Sequence, residues 1–558
     1  MLLCLSAVGQ VTREVEVTKQ YAPKLPPAQK LDIPTNRVDT VAIRPEIDYT
    51  IHPKSFASEL TTDKFRPASV TYWQYHKNYP LFLRAGIGYP LVTEIDAYAS
   101  AHRADVGYIG AYFNHRGNFT DIEVTNPLLD KSYKNNSQQM TNIVGVNGGK
   151  YIGKYTLDGD IYYHSDGFHR YALPEVVEDK DSEINFENAA ISLHFGDAFA
   201  DLSHLNFSLY GSADFYNDKS PQLLAQGEDS RKLQQVSATA GVKLARKLFN
   251  CADFTLGFDY EGHYGLKYLS AYQNSVLSAW LGAEFEVKQV FDVKVGVKYS
   301  YDRLQTDEGN IKHHFLPYLY LGYNLKNNST FVPYFELDSK LVNNSFQSMQ
   351  RVNPYVVVPM SGYSVAPNSA YYNMRFGISG CTLNSKFAYR LYAGASFITN
   401  SLYWYAVDNA YFEALSAREN VWSICGSLEY KPISALLIRA EACGMIYNNF
   451  PGNIHIAKPK YTAELSARYK HRKFAVGASA KLVGAVDWSV AYTTAEGREF
   501  STINYPAYVD VNLCADWYVS KQWTLFLEGR NLANATIHPW AFYRQYHIGA
   551  LFGFKVQF

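Results

Sequence analysis

The residues able to carry chemistry are few and scattered. Six cysteines occur: Cys4, Cys251, Cys381, Cys425, Cys443 and Cys514. No two stand as C-x-x-C, the spacing that zinc and redox sites use. Cys425 and Cys443 fall on the inward phase of two adjoining predicted strands, with a turn near 431–435. Opposed strand residues lie about 4.5–5.5 Å apart, within reach of a disulfide. His313 and His314 are adjacent, and successive strand side chains point to opposite faces, so they are not expected to share a metal. An acidic run, Glu175, Glu178, Asp179, Asp181 and Glu183, offers carboxylate oxygens that suit Ca²⁺. The plainer reading of that run is a solvated charged loop. Neither G-x-S-x-G, H-E-x-x-H nor a P-loop is present. The chain is expected to be no enzyme and to need no cofactor.

Charge and composition narrow the class. The 558 residues carry 52 basic and 52 acidic side chains, which gives no pull towards nucleic acid. Aromatics make up 15%, led by 46 Tyr and 32 Phe. Tyr has an apolar ring and a wet tip, which suits a membrane interface. No run of about 18 apolar residues occurs, so a bundle of membrane helices is excluded. A lipid-facing barrel fits, because half of each strand can face water.

The elements that must position these residues are strands. From residue 80 onward the hydrophobic period is two. Phe291, Val293, Val295, Val297, Tyr299 and Tyr301 alternate with Asp292, Lys294, Gly296, Lys298, Ser300 and Asp302. Phe254 to Glu261 and Tyr461 to Lys470 repeat the pattern. One face is therefore apolar, and Asp259, Glu261, Lys294, Lys298, Glu464, Arg468, Glu528 and Arg530 are expected to line a lumen. Their signs balance, so a salt-bridge lattice is favoured over an ion-selective surface. Short links, as near 102–105, 288–290 and 431–435, alternate with long polar loops, as near 118–137, 343–368 and 533–547. Short periplasmic turns and long extracellular loops are the asymmetry of outer-membrane barrels. The count predicts an all-β transmembrane antiparallel β-barrel of about 22 strands over 80–558, with both ends periplasmic; a weaker candidate strand at 68–74 leaves the count open by two. The loop at 343–368 either stays in solvent, folds into the lumen as a constriction or contacts a surface partner.

The N-terminal part differs. Residues 1–10, MLLCLSAVGQ, read as the remnant of a signal peptide whose start lies upstream. Cys4 sits inside the apolar run and not after it, against a lipoprotein acceptor. Residues 11–79 form a Pro-rich leader, with Pro23, Pro26, Pro27, Pro34, Pro45 and Pro53, expected in the periplasm or entering the barrel.

The last segment alternates Ile548, Ala550, Phe552, Phe554, Val556 and Phe558 with Gly549, Leu551, Gly553, Lys555 and Gln557. A final strand ending on Phe558 resembles the signal that outer-membrane assembly machinery reads. The closing hairpin, WTLFLEGRNLANATIHPWAFYRQYHIGALFGFKVQF, resembles the last two strands of TonB-dependent receptors, where Glu-Gly-Arg-Asn-Leu, here Glu528–Leu532, precedes a Tyr-rich loop. The opening stretch, LRAGIGYPLVTEIDAYASAHRADVGYIGAYFNHRG, is similar to plug-less TonB-receptor-like proteins of Bacteroidetes. The resemblance implies an integral protein of the Gram-negative outer membrane. It implies contact with lipid and lipopolysaccharide, assembly machinery and other outer-membrane proteins or surface lipoproteins. It also implies uptake of a nutrient or small ligand. The chain departs from the family in having no recognisable plug, which leaves a second reading open: the barrel subunit of an assembly, secretion or lipoprotein-partnered complex.

Overall fold

The computed structural model describes residues 79–558, apart from 127–130, 174–181, 221–232, 306–309, 325–329, 357–365, 383–384, 408–410, 449–453, 495–496 and the single positions 250, 268, 289 and 456. The expectations for 1–78, for Cys4 and for Glu175, Glu178, Asp179 and Asp181 fall outside the described residues.

Twenty-four strands belong to one sheet. Two of them, Val486–Thr494 and Gly497–Tyr505, form a side hairpin, which leaves twenty-two in the wall. Wall neighbours are antiparallel throughout. The first strand, Leu81–Tyr89, pairs with the last, Gly549–Gln557, from Phe82↔Gln557 to Tyr89↔Ala550, and so closes the barrel. Glycines permit this closure: a Cβ on Gly553 would strike the Ala85 carbonyl, and one on Gly88 would strike that of Ala550. Full closure removes the sheet edges that lipid cannot satisfy.

The period-two pattern becomes two surfaces. Ile161, Phe258, Leu281, Phe315, Phe376 and Ile424 lie exposed on the outer face, Ile424 at 75%. An apolar band running round the wall would aggregate in water, and it matches a hydrocarbon layer. Phe258 separates Gly257 from Asp259 on the strand Ala252–Lys267, so the charge faces inward by the pleat alone.

Two strands are longer than the rest: Phe387–Val407 with 21 residues and Tyr411–Ile433 with 23. Their register shifts between Ile398 and Ser401, where Asn400 has φ 57°. Asn tolerates this left-handed conformation, and such a bulge bends a strand pair. Above the bulge, Ala406 and Val407 pair in parallel with Val490 and Ala491 of the side hairpin.

Candidate functional site

The long loops do not all stay in solvent. Five segments turn inward at the long-loop end: the hairpin Ile122–Asn126/Lys131–Asn135, residues 170–173, the stretch 343–356, the side hairpin and the final loop 531–548. Their apolar residues form one cluster that includes Ile122, Ala172, Phe346, Tyr355, Trp488, Trp540 and Tyr543, with Phe168, Ile184, Tyr216 and Phe412 from the wall. The loop at 343–368 thus follows its inward alternative in its described part.

Aromatic contacts knit the segments together. Tyr355 stacks on Tyr543 with centroids 3.6 Å apart and planes at 17°. Tyr171 meets Tyr543 edge-on at 5.0 Å. Phe412 lies 5.6 Å from Trp488 and 5.5 Å from Trp540. Edge-to-face pairs contribute about 0.5–1.5 kcal/mol each beyond area burial. Burial holds the Tyr171, Tyr355 and Tyr543 hydroxyls well above their usual titration range. Burial, with the Arg544 cation second, lowers His538 from 6.5 to about 4, so its ring is neutral near pH 7.

Arg170 is a buried cation beside this core. It is 5% exposed, its guanidinium lies 5.8 Å from the Tyr411 ring, and its Nε and Nη1 have no hydrogen-bond partner among the described residues. Unpaired buried donors are costly, so this group is suited to an incoming acceptor.

A short helix, α1 (Phe346–Val352), is fastened to the inner wall by its glutamines. Ser345 caps it by accepting from the Ser348 amide. Gln347 donates to Asp214 at 3.0 Å, and Gln350 donates to Asp218 at 2.7 Å and accepts from Tyr216 at 2.7 Å. Asn274, Asn343 and Asn368 form an amide ladder beside it, and Asn368 donates to Asp302 at 2.9 Å. This amide-to-carboxylate fastening has no strong sequence motif, because its partners lie 66 to 133 residues apart.

Below the mouth the wall charges pair across strands. Arg84 binds Glu94 at 2.7 Å, Asp96 at 3.3 Å and Glu528 at 2.8 Å. Arg530 binds Glu94 at 2.7 Å and Glu528 at 2.8 Å, and Arg116 binds Asp96 at 2.8 Å. Three cations and three carboxylates therefore close on one another across the seam of first and last strands. Glu528 and Arg530 are among the charges expected in the lumen; Arg84, Glu94, Asp96 and Arg116 are not. Their inward phase was visible, and only the closure register joins them.

The other sequence candidates are dispersed. Lys298 reaches Asp259 at 3.3 Å, Lys294 reaches Glu284 at 3.2 Å, and Glu261 meets His263 at 3.0 Å. Glu464 faces Glu441 and Lys481 across its neighbouring strands, and Arg468 faces Leu437 and Gly477. Cys425 and Cys443 are opposed in register with Cα atoms 4.2 Å apart and are joined as a disulfide. His313 and Tyr299 hydrogen-bond at 2.7 Å on one face, while His314 pairs with Asp302 at 3.2 Å on the other. Phe558 ends the last strand, 47% exposed, with its amide donating to the Leu81 carbonyl at 2.9 Å.

No family model and no curated protein matches the chain. Solved structures do. The chain is similar to the FrpB iron transporter from Neisseria meningitidis, at TM-score 0.67 and 11% identity over 87% of this chain and 82% of that one. It is similar to the siderophore receptor PirA from Acinetobacter baumannii, at TM-score 0.66 and 10% identity over 86% and 80%. It is similar to the pyoverdine outer membrane receptor FpvA from Pseudomonas aeruginosa, at TM-score 0.64 and 11% identity over 87% and 79%. The chain therefore has the closed twenty-two-stranded fold of outer-membrane receptor barrels.

Proposed function

We propose that this barrel takes up a small nutrient ligand across the outer membrane of a Gram-negative bacterium, as a TonB-receptor-like transporter. The observation that carries this reading is the aromatic core at the long-loop end. A barrel of this width is wide enough to leak unless something fills it. Here the loops themselves fill the mouth, and they place among tyrosines a buried Arg170 whose Nε and Nη1 have no hydrogen-bond partner among the described residues. That combination suits a compact ligand rich in oxygen acceptors. The neighbours named above are described as an iron transporter, a siderophore receptor and a pyoverdine receptor, so iron chelates are the first class to test.

Binding is tested on the purified barrel in detergent. Trp488 and Trp540 sit in the core and report on it by fluorescence. A ferric chelate that binds should quench them saturably, and Arg170→Ala should weaken that binding with the barrel still folded. A full panel without saturable quenching counts against uptake of this class.

The second reading, a barrel subunit of a larger complex, draws on the paired lumen charges and the filled mouth. Mild-detergent purification that retains a stoichiometric outer-membrane partner, with no ligand bound, would favour it. Contact with lipopolysaccharide, assembly machinery and surface lipoproteins belongs to both readings.

A further inference from the structure

One sector of the rim, at the short-link end, carries charge of a single sign. Four successive links lie side by side there, at 383–386, 434–435, 471–473 and 519–522. Backbone bonds tie neighbouring links together: the Lys431 amide donates to the Lys386 carbonyl at 2.6 Å, the Lys470 amide to the Ala435 carbonyl at 2.8 Å, and the Tyr518 amide to the Lys473 carbonyl at 2.8 Å. The links and the strand ends beside them supply Lys386, Lys431, Lys470, Arg472, Lys473 and Lys521, and 383–386, 431–435, 470–473 and 519–522 hold no acid. Elsewhere on the rim acids intervene, as Glu286 and Asp292 do around 288–290.

The carboxylates that flank the sector are already taken. Glu429 holds Lys431 at 2.7 Å and Arg439 at 2.9 Å, and Asp516 holds Lys555 at 2.6 Å. Lys386, Arg472, Lys473 and Lys521 are exposed and pair with no carboxylate among the described residues. A basic cluster at a membrane surface attracts anionic lipid heads, and its field reaches about 8 Å at physiological salt.

Next to this rim the outer wall has the character of a membrane interface. Tyr430, Tyr469, Phe474, Trp517 and Trp523 are exposed and stand within two residues of the basic stretches. Among them lies an apolar groove of about 290 Å³, lined by Phe387, Leu428, Tyr430, Ile438 and Ala440. Phe387, Tyr430 and Ile438 stand in one rung, and Leu428 and Ala440 in another, farther from the rim. Ala440 contributes only a methyl group, while Phe387 and Tyr430 wall the rim end with ring centroids 6.2 Å apart. Lys386 adjoins Phe387 and Lys431 adjoins Tyr430 in the chain. The groove therefore runs from a cationic mouth into hydrocarbon, the polarity of an anionic amphiphile.

We infer that this sector is a binding site for an anionic phospholipid of the leaflet at the short-link end. One acyl chain lies in the groove and the head phosphate sits at Lys386. The cations of the neighbouring links select an anionic head over a zwitterionic one. The groove belongs to the apolar band that matches the hydrocarbon layer, so lipid and not a soluble partner covers it. The site lies on the outer wall and stands apart from the uptake reading.

The test uses the full chain in vesicles of phosphatidylcholine and phosphatidylglycerol. Two probes carry the same acyl-chain diazirine, one on each head group. After illumination, mass spectrometry should find Leu428, Tyr430 or Ile438 labelled at least about fivefold more by the phosphatidylglycerol probe, the factor that one surface cation contributes. Equal labelling by the two probes would overturn the site. Lys386→Gln/Arg472→Gln/Lys473→Gln should bring the probes level. Lys150→Gln/Lys154→Gln/Lys247→Gln removes as many exposed cations from other links and should leave the preference intact. An equal loss in both variants would assign the effect to the charge of the whole rim and overturn the proposal. Ala440→Trp fills the groove and should abolish the preference at these residues, and a preference that survives it counts against the site in the same way.

Discussion

His538 shows how one residue can tie the mouth to pH. Its folded value is depressed to about 4 from 6.5, chiefly by burial. The closed mouth therefore disfavours the proton that an opened mouth accepts. Closure is intact above pH 6.5, weakens as pH falls from 6.5 towards 4, and weakens no further below that. The loss amounts to about 2 kcal/mol once partial exposure is allowed for. Ion conductance of the reconstituted barrel should rise across that window, and His538→Gln should remove the rise. Arg84 makes a different prediction. Its guanidinium is 12% exposed and serves three carboxylates. Arg84→Ala leaves Glu94, Asp96 and Glu528 to share only Arg530 and Arg116 and should cost about 3 kcal/mol, read as a lower midpoint of unfolding in denaturant. Adding Glu528→Ala should recover part of the loss, because it restores two carboxylates to two cations.

At the scale of elements, α1 is too short to persist alone, since isolated helices need about 12–15 residues. Its position rests on Gln347 and Gln350 donating to Asp214 and Asp218. A hydrogen bond to a charged partner contributes about 1.5–3 kcal/mol. Gln347→Ala/Gln350→Ala should release the segment 343–356 without opening the wall. Limited proteolysis should then cut that loop selectively, while the barrel stays resistant. The Cys425–Cys443 link acts on the wall instead. It closes a segment with a sequence separation of 18, for which chain entropy predicts about 3 kcal/mol. Cys425→Ser/Cys443→Ser should lower the unfolding midpoint of the oxidised protein by that amount and leave the reduced protein unchanged.

The whole molecule depends on its last strand finding its first. Phe558 donates its amide to Leu81, and Leu81 donates back to the Phe558 carbonyl at 3.3 Å. Deleting Phe558 should reduce the yield of heat-modifiable, assembled barrel in cells far more than it lowers the stability of barrel refolded in detergent. Equal effects in both settings would assign the residue to stability and not to assembly.

The sequence by itself determined the wall. Period-two alternation is local, and a pleat places Asp259 inward and Phe258 outward with no information from elsewhere in the chain. Loop lengths add up along the chain, so the strand number was legible too, as was the opposition of Cys425 and Cys443 across a short turn. What fills the wall was not legible. The stacking of Tyr355 on Tyr543, the hold of Asp214 on Gln347 and the closure of Arg84 on Glu528 join residues separated by 133 to 444 positions. Such contacts depend on where the closed sheet puts distant loops, and only the tertiary structure decides that.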